Sequence, residues 1–484
     1  MSLAGTPPRC GPSPLSQTLR SPATRAPHPS WRSRRLPYAV LATFVLASCI
    51  TTRVREEPRP TGVFPVPVAA DSAKPPETPP MERIEAPGVH TEGVRDVRVA
   101  LATAAQGAVL AATGAWRLFD ANDGVLVRAR DVEQWTIERR GRQLRALRSG
   151  GGSTPWSDGQ LTLRPDREDV FGVFAGRRYR GALRVVASDT GLVIVNVLPV
   201  EAYLRGVVPL EIGGSRSPAE QAAVEAQAIA ARSYAVVRLA AVDNSASRNE
   251  TYDVVDGVTD QVYGGVDAER PQSDAAVSST AGLVLKFGDR VVNAPYSSSC
   301  GGETATPDEV WRAGGEPYLR RVSDRIPGTA DRYWCDIAPR FAWTRTLSAD
   351  ELDAAVRAYL RSYVAVPSGG PGRVRGVVIA SRTPSGRVGR LAISTDLGRY
   401  ELRGNDIRYV LRTPGGETLN STYFTVESES RRDGSIAKLV VRGNGYGHGI
   451  GMCQWGAIGR ARAGQSARSI LAAYYPGTTV GTAQ

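Results

Sequence analysis

The stretch Leu198–Leu239, LPVEAYLRGVVPLEIGGSRSPAEQAAVEAQAIAARSYAVVRL, constrains what this chain can fold into more than any other. Ser217, Pro218 and Glu220 fit the N-cap, first and third positions of a helix, so a capping box starts one there. From Ala222 to Ala241 small residues dominate, with Val224, Ile229, Val236 and Leu239 adding bulk; such a helix lets neighbouring backbones approach closely. Upstream, Val207, Val208 and Leu210 read as an apolar strand end leading into a loop that carries Glu211, and Gly213-Gly214 permit a tight turn. The expectation is one acidic side chain at the mouth of an apolar segment, with a helix N-terminus close behind it. There a carboxyl loses solvent and its pKa rises.

The rest of the chain reads as β-rich. VRVALA, RLFD, GVLVRAR and QWTIERR alternate apolar and polar residues between turns, and LRVVASDTGLVIVNVL is a hairpin feeding the stretch above. Further strands are expected around Gly282–Phe287, Val291–Tyr296, Val374–Ser381, Arg390–Ser394 and Leu439–Arg442. Helices are expected near Ser348–Tyr363, capped by Ser348 and Glu351, and near Ser466–Tyr474, ahead of Pro476-Gly477. The fold class is α+β: a β-rich domain with a long Ala-rich helix after the Glu211 loop and a C-terminal helix.

The N-terminus reads as an address. Six of the chain's 60 Lys and Arg lie before Cys49 with no acid among them, leaving 54 against 48 Asp and Glu in the remainder. That balance is mildly basic and shows no Lys/Arg stripe with interleaved aromatics, which argues against nucleic acid and leaves an anionic wall polymer allowed. Arg32, Arg34 and Arg35 precede an apolar run, Tyr38–Ala47, too short to span a bilayer. The run ends in Leu46-Ala47-Ser48-Cys49, which resembles a bacterial lipobox. The resemblance implies cleavage before Cys49 and acylation of it, a firm anchor when several chains add about 0.8 kcal/mol per buried methylene. Residues 1–48 are then a lipoprotein signal, 49–91 a Pro-rich tether (PRPTGVFPVPV, KPPETPP) and 92–482 the folded region. Ile50 is not the aspartate that commonly retains such proteins at an inner membrane, so the cell envelope is the expected location, in the periplasm or at the outer surface.

Four blocks then stand in one order: LPVEAYLRGVVPLEI…AQAIAARSYA; DVVDGVTDQVYGGV (253–266); YSSSCGGETATPDEVW (296–311); and NGYGHGIGMCQWGAIGRARAGQSARSILAAYYPGT (444–478). Together they resemble the stage II sporulation protein D and amidase-enhancer family, from about residue 96 to 480. The resemblance implies a peptidoglycan lytic transglycosylase whose single acid, following the VVP segment, falls on Glu211. No cofactor or metal is expected. The chain departs from the family in having Glu211-Ile212-Gly213-Gly214 where Glu-Met-Pro and a shorter loop are usual. A second reading is a non-catalytic wall-binding enhancer of a cell-wall amidase.

His448 is the only imidazole of the folded region, since His28 and His90 precede it, and a lone histidine argues against a zinc amidase. Its Gly-rich loop resembles a family motif at the cleft, implying glycan contact or tuning of Glu211; local capping is the alternative. Gln261 and Tyr263 stand at alternate positions and could face one side of a strand, suited to sugar hydroxyls or else to the core. Gln454, Tyr296 and Ser298 are weaker candidates for substrate contact.

Of five cysteines, Cys10 and Cys49 precede the folded region and Cys300, Cys335 and Cys453 lie within it. Three sulfurs without a nearby histidine leave a zinc site one ligand short; the zinc-binding Cys/His cluster of some family members lacks its histidines here. The expectation for an exported domain is a Cys300–Cys335 disulfide, with Cys453 buried as a small apolar residue.

Overall fold

The computed structural model describes residues 94–130, 133–244, 251–311 and 313–483; Cys49, the proposed signal and the tether lie outside them. The first part is β-structure. Strands Val97–Ala105, Gly191–Leu198, Ala182–Ser188, Gln160–Pro165, Trp116–Phe119 and Val125–Ala129 lie side by side in one sheet, with Val254–Val255 added in parallel at the Val97–Ala105 edge. A second sheet contains Ala108–Ala112, Trp135–Arg140 and Gln143–Arg148. Alternation dictates which residues go inside: Leu110, Ile137, Leu144, Leu161, Leu163, Leu183 and Val185 from both sheets share one core. The hairpin read from LRVVASDTGLVIVNVL is present, Ala182 pairing with Val197 and Ser188 with Gly191.

Eight helices occur among the described residues: α1 Val200–Ile212, α2 Gln221–Asp243, α3 Pro271–Ser279, α4 Pro307–Val310, α5 Ala349–Tyr359, α6 Asp406–Val410, α7 Gln454–Arg462 and α8 Ala467–Tyr474. The Ala-rich helix is α2. It follows a single 3-10 turn, Pro218–Glu220, that carries the Ser217/Glu220 capping box. Ala223, Ala226, Ala228, Ala230 and Ala231 are fully buried, because α1, α3, α7, α8 and strand Leu283–Phe287 all pack against this one helix. Arg232 is buried among them. It forms a two-pronged pair with Glu201 of α1, at 2.8 Å on each prong, and donates to the carbonyls of Val277 and Leu283.

The segment before α2 differs from the expectation. Residues 200–212 are not a strand end and loop; they form α1, with Pro209 inside it. Proline ordinarily stops a helix by removing one amide donor, which is why the sequence reads as a loop there. Here Val200, Tyr203, Leu204, Val207 and Val208 line up at helical spacing and are buried, and that burial outweighs one lost hydrogen bond. Glu211 therefore sits at the C-terminal end of a helix rather than ahead of an N-terminus.

From 342 to 444 the chain builds a second, separate core from Leu347, Leu352, Val356, Leu391, Ile393, Leu402, Leu439 and Val441. Two three-stranded sheets and the capped helix α5 supply it; Ser348 and Glu351 form the capping box read from the sequence. Arg387, 1% exposed, reaches from this lobe into the first, where its Nη2 donates to the carbonyls of Cys300 and Glu303.

No disulfide joins Cys300 to Cys335. Both are free and buried, their sulfurs 3.6 Å apart against about 2.05 Å for a bond. Cys453 is buried as expected, but its sulfur faces the same point, accepting from the Cys300 amide at 3.2 Å.

Candidate active site

Glu211 is half-buried in the last turn of α1, against the loop after Val254–Val255. Its Oε1 accepts the Val262 amide at 3.0 Å, and the Gln454 amide, at the first position of α7, faces the carboxyl as a second donor. Among the described residues no cation forms an ion pair with it. The remaining titratable neighbours are phenols, Tyr203 of α1, Tyr234 of α2 and Tyr296 of strand Tyr296–Ser297, all held neutral by burial. Burial raises the Glu211 pKa, and the Val262 and Gln454 donors offset only part of the rise. The C-terminal end of α1 acts in the same direction, since a negative charge is disfavoured at a helix C-terminus. This carboxyl is built to be protonated more readily than a surface glutamate.

The segment 260–263 holds that geometry. Asp260 accepts from Tyr234 and pairs with Arg238, both on α2. Gln261, 1% exposed, accepts from the Tyr203 hydroxyl at 3.1 Å and donates to the Tyr296 hydroxyl at 2.9 Å. Tyr263 is equally hidden, its hydroxyl donating to Asn196 at 2.7 Å and its ring 5.2 Å from that of Tyr203. Residues 261–264 form no strand. Gln261 and Tyr263 turn inward because the loop is clamped between α1, α2 and the sheet. Their polar atoms are engaged within the protein, on either side of the Val262 amide that Glu211 accepts.

His448 has its own local task. Its Nδ1 accepts the Ile450 amide at 3.0 Å, so Nε2 carries the proton and donates to the Tyr296 carbonyl at 2.8 Å. Burial first, then the charge of Arg408, pushes its pKa down to about 3, leaving a neutral ring at any physiological pH. No hydrogen bond joins it to Glu211. Its ring lies 4.8 Å from Trp311, itself 38% exposed. The glycines beside it serve close packing of the protein on itself: with positive φ, a Cβ on Gly451 would overlap the Pro295 carbonyl and one on Gly449 would overlap Arg387.

Gln454, 6% exposed, shares its amide between Glu211 and the Gln227 side chain of α2, 3.2 Å away. Ser298 is half-buried and its carbonyl accepts the Trp455 amide at 3.0 Å. Sequence reasoning passed over Tyr203, Asp260, Gln227 and Arg216. Arg216 caps α1 by donating to the Ile212 carbonyl at 2.6 Å and lies 4.9 Å over the Trp455 ring. Its signal was an arginine just past a helix end, unreadable while α1 was taken for a loop. Two cavities, of about 960 and 800 Å³, lie elsewhere, one against α1 at Glu201 and Arg205 and one beside Trp343 and Tyr423. Glu211 lines neither.

Glu211 is thus a half-buried carboxyl with a raised pKa, no counter-ion among the described residues, and the Val262 amide on its Oε1. A family model described as "Stage II sporulation protein" matches residues 188–287, which include Glu211, and a model described as a domain of unknown function matches residues 332–451. The chain is 30% identical over 301 residues to Stage II sporulation protein D of Bacillus subtilis (strain 168), covering 60% of this chain and 76% of that protein. It is 32% identical over 314 residues to the Amidase enhancer of the same organism, covering 57% of this chain and 40% of that protein. An uncharacterized protein of Brachyspira hyodysenteriae is 29% identical over 305 residues, 63% of this chain and 73% of its own length. The chain belongs to the stage II sporulation protein D and amidase-enhancer (SpoIID/LytB) family.

Proposed function

We propose that this protein is a peptidoglycan lytic transglycosylase with Glu211 as its one acid and base. The observation that carries the reading is the Glu211 carboxyl itself: raised by burial, unpaired by any cation among the described residues, and inside the matched family segment. Protonated Glu211 gives its proton to the glycosidic oxygen between N-acetylmuramic acid and N-acetylglucosamine as positive charge develops at C1. The carboxylate so formed takes the proton of the muramic C6 hydroxyl, whose oxygen bonds to C1. The products are a 1,6-anhydro end and a free N-acetylglucosamine hydroxyl, with Glu211 reprotonated. Because the substrate supplies the nucleophile, a second carboxylate is not required. The Val262 and Gln454 donors stabilise the carboxylate at the midpoint of this cycle.

The pH profile of strand cleavage tests this. Only the protonated acid starts the reaction, so kcat/KM falls as pH rises through the raised Glu211 pKa, and the falling limb lies above the ordinary carboxyl range of about 4.3. A limb centred at or below that range contradicts the role. The second reading, stimulation of a cell-wall amidase, rests on the name of the Bacillus subtilis relative. It requires wall binding and amidase stimulation that survive Glu211→Gln. We place the protein in the cell envelope, held by lipid on Cys49, with glycan strands as its polymer partner. Among the described residues no helix is long and apolar enough to cross a membrane. Metabolic labelling with a clickable fatty acid should mark the wild type and not Cys49→Ser; equal labelling removes the anchor.

A further inference from the structure

Away from Glu211, three thiols and a carboxylate converge with no aqueous side. Cys300, Cys335, Cys453 and Asp324 are each 0% exposed, and one ligand atom from each lies within 4.8 Å of all the others. The Cys300 and Cys335 sulfurs are 3.6 Å apart, and Asp324 Oδ2 is 3.8 Å from the Cys300 sulfur. Zinc–sulfur bonds of about 2.3 Å in a tetrahedron place two sulfurs about 3.8 Å apart. From these distances and this donor set we propose that Cys300, Cys335, Cys453 and Asp324 bind one zinc ion in a closed, structural site.

The surroundings fit that occupant. Asp324 presents Oδ2 to the sulfurs, while Oδ1 accepts the Tyr474 hydroxyl at 2.6 Å and faces Arg460 at 3.5 Å. An outer partner of this kind orients a ligating carboxylate. The Cys453 sulfur accepts the amides of Cys300, at 3.2 Å, and, at the start of α7, Gly456, at 3.4 Å, so backbone donors hold it in place. Arg387 is buried with no ion pair among the described residues, and its Nη2 donates to the Cys300 carbonyl at 2.7 Å, so a cation stands beside the cluster. Three soft sulfurs and one hard oxygen suit zinc over calcium or magnesium, which take oxygen ligands. Binding displaces one proton from each of the three thiols to solvent and leaves no open coordination position, so the ion holds structure rather than activating water. It joins the loop after Tyr296–Ser297, the loop carrying Asp324 and Cys335, and Cys453, the N-cap residue of α7 just before Gln454. The fourth ligand that spacing alone could not supply is Asp324.

The test is elemental analysis of the full chain purified without chelators or metal-affinity resin. About one zinc per chain is expected in the wild type and a near-complete loss in Cys335→Ser. Because that variant could misfold, Tyr474→Phe keeps all four ligands and is expected to lose zinc to a competing chelator at a concentration about 10–100-fold lower. Cobalt substituted into the wild type should give thiolate-to-metal charge-transfer absorption and the intense visible bands of a tetrahedral ion. Recovery of a Cys300–Cys335 cross-linked peptide from the native protein overturns the proposal. So does reduced protein that takes up neither zinc nor cobalt, or protein that holds iron instead.

Discussion

Glu211→Gln is expected to lower the rate of glycan cleavage about 10³-fold, the usual worth of a positioned general acid, while the variant folds. The substitution keeps the shape and can still accept the Val262 amide, so what it removes is the transferable proton. The same variant makes a second, independent prediction of opposite sign for stability. The folded-state pKa of Glu211 lies above its unfolded value, so the native state binds the extra proton in the window between the two. The stability contributed by that proton is complete below the unfolded pKa and is lost as pH rises through the folded one. Glutamine cannot ionise and escapes the loss. Thermal melts should therefore show Glu211→Gln matching wild type in acid and exceeding it at neutral pH. A carboxylate kept for a structural ion pair would do the reverse, and wild type would be the more stable at neutral pH.

Arg232→Met is expected to cost about 3–5 kcal/mol of stability. Arg232 is fully buried, and its removal leaves Glu201 without its partner and the Val277 and Leu283 carbonyls without their shared donor. Glu201 keeps 29% side-chain exposure, so water relieves part of its loss and the lower end of the range applies. Combining Glu201→Gln with Arg232→Met should recover some of the cost. By contrast, Arg167 and Asp169 are 73% and 66% exposed at the side chain, and breaking that pair should change stability by less than about 1 kcal/mol. Chemical denaturation of the three variants decides it; an Arg232→Met protein as stable as wild type would mean that the helices around α2 do not depend on this pair.

Local rules made much of this fold readable. Ser217 with Glu220 and Ser348 with Glu351 each form the capping box they announced, because a cap depends on residues within one turn. The 182–198 hairpin was equally plain from alternation around Asp189-Thr190-Gly191. What stayed hidden depends on contacts distant in sequence. Pro209 broke the helical reading of 200–212, although burial of Tyr203, Leu204 and Val208 keeps α1 intact through it. Glu211 was found by resemblance, but its place at a helix C-terminus was not. Gln261 and Tyr263 drew notice as a polar pair, and only the clamp of α1, α2 and Tyr296 shows that both point inward. Asp324 carries no periodic or motif signal, and three cysteines without a histidine suggested a disulfide until the carboxylate appeared beside them. The second core, from 342 to 444, uses strands and a capped helix that look like those of the first.

The most direct test is product analysis of denuded glycan strands digested by the full chain in ¹⁸O-labelled water. Muramic ends in the 1,6-anhydro form, free of label, are the predicted result, because the C6 oxygen of the substrate closes on C1 and water takes no part. Reducing muramic ends carrying ¹⁸O would make the enzyme a hydrolase. Strands that stay intact while the protein binds them and an amidase is stimulated would contradict the role given to Glu211.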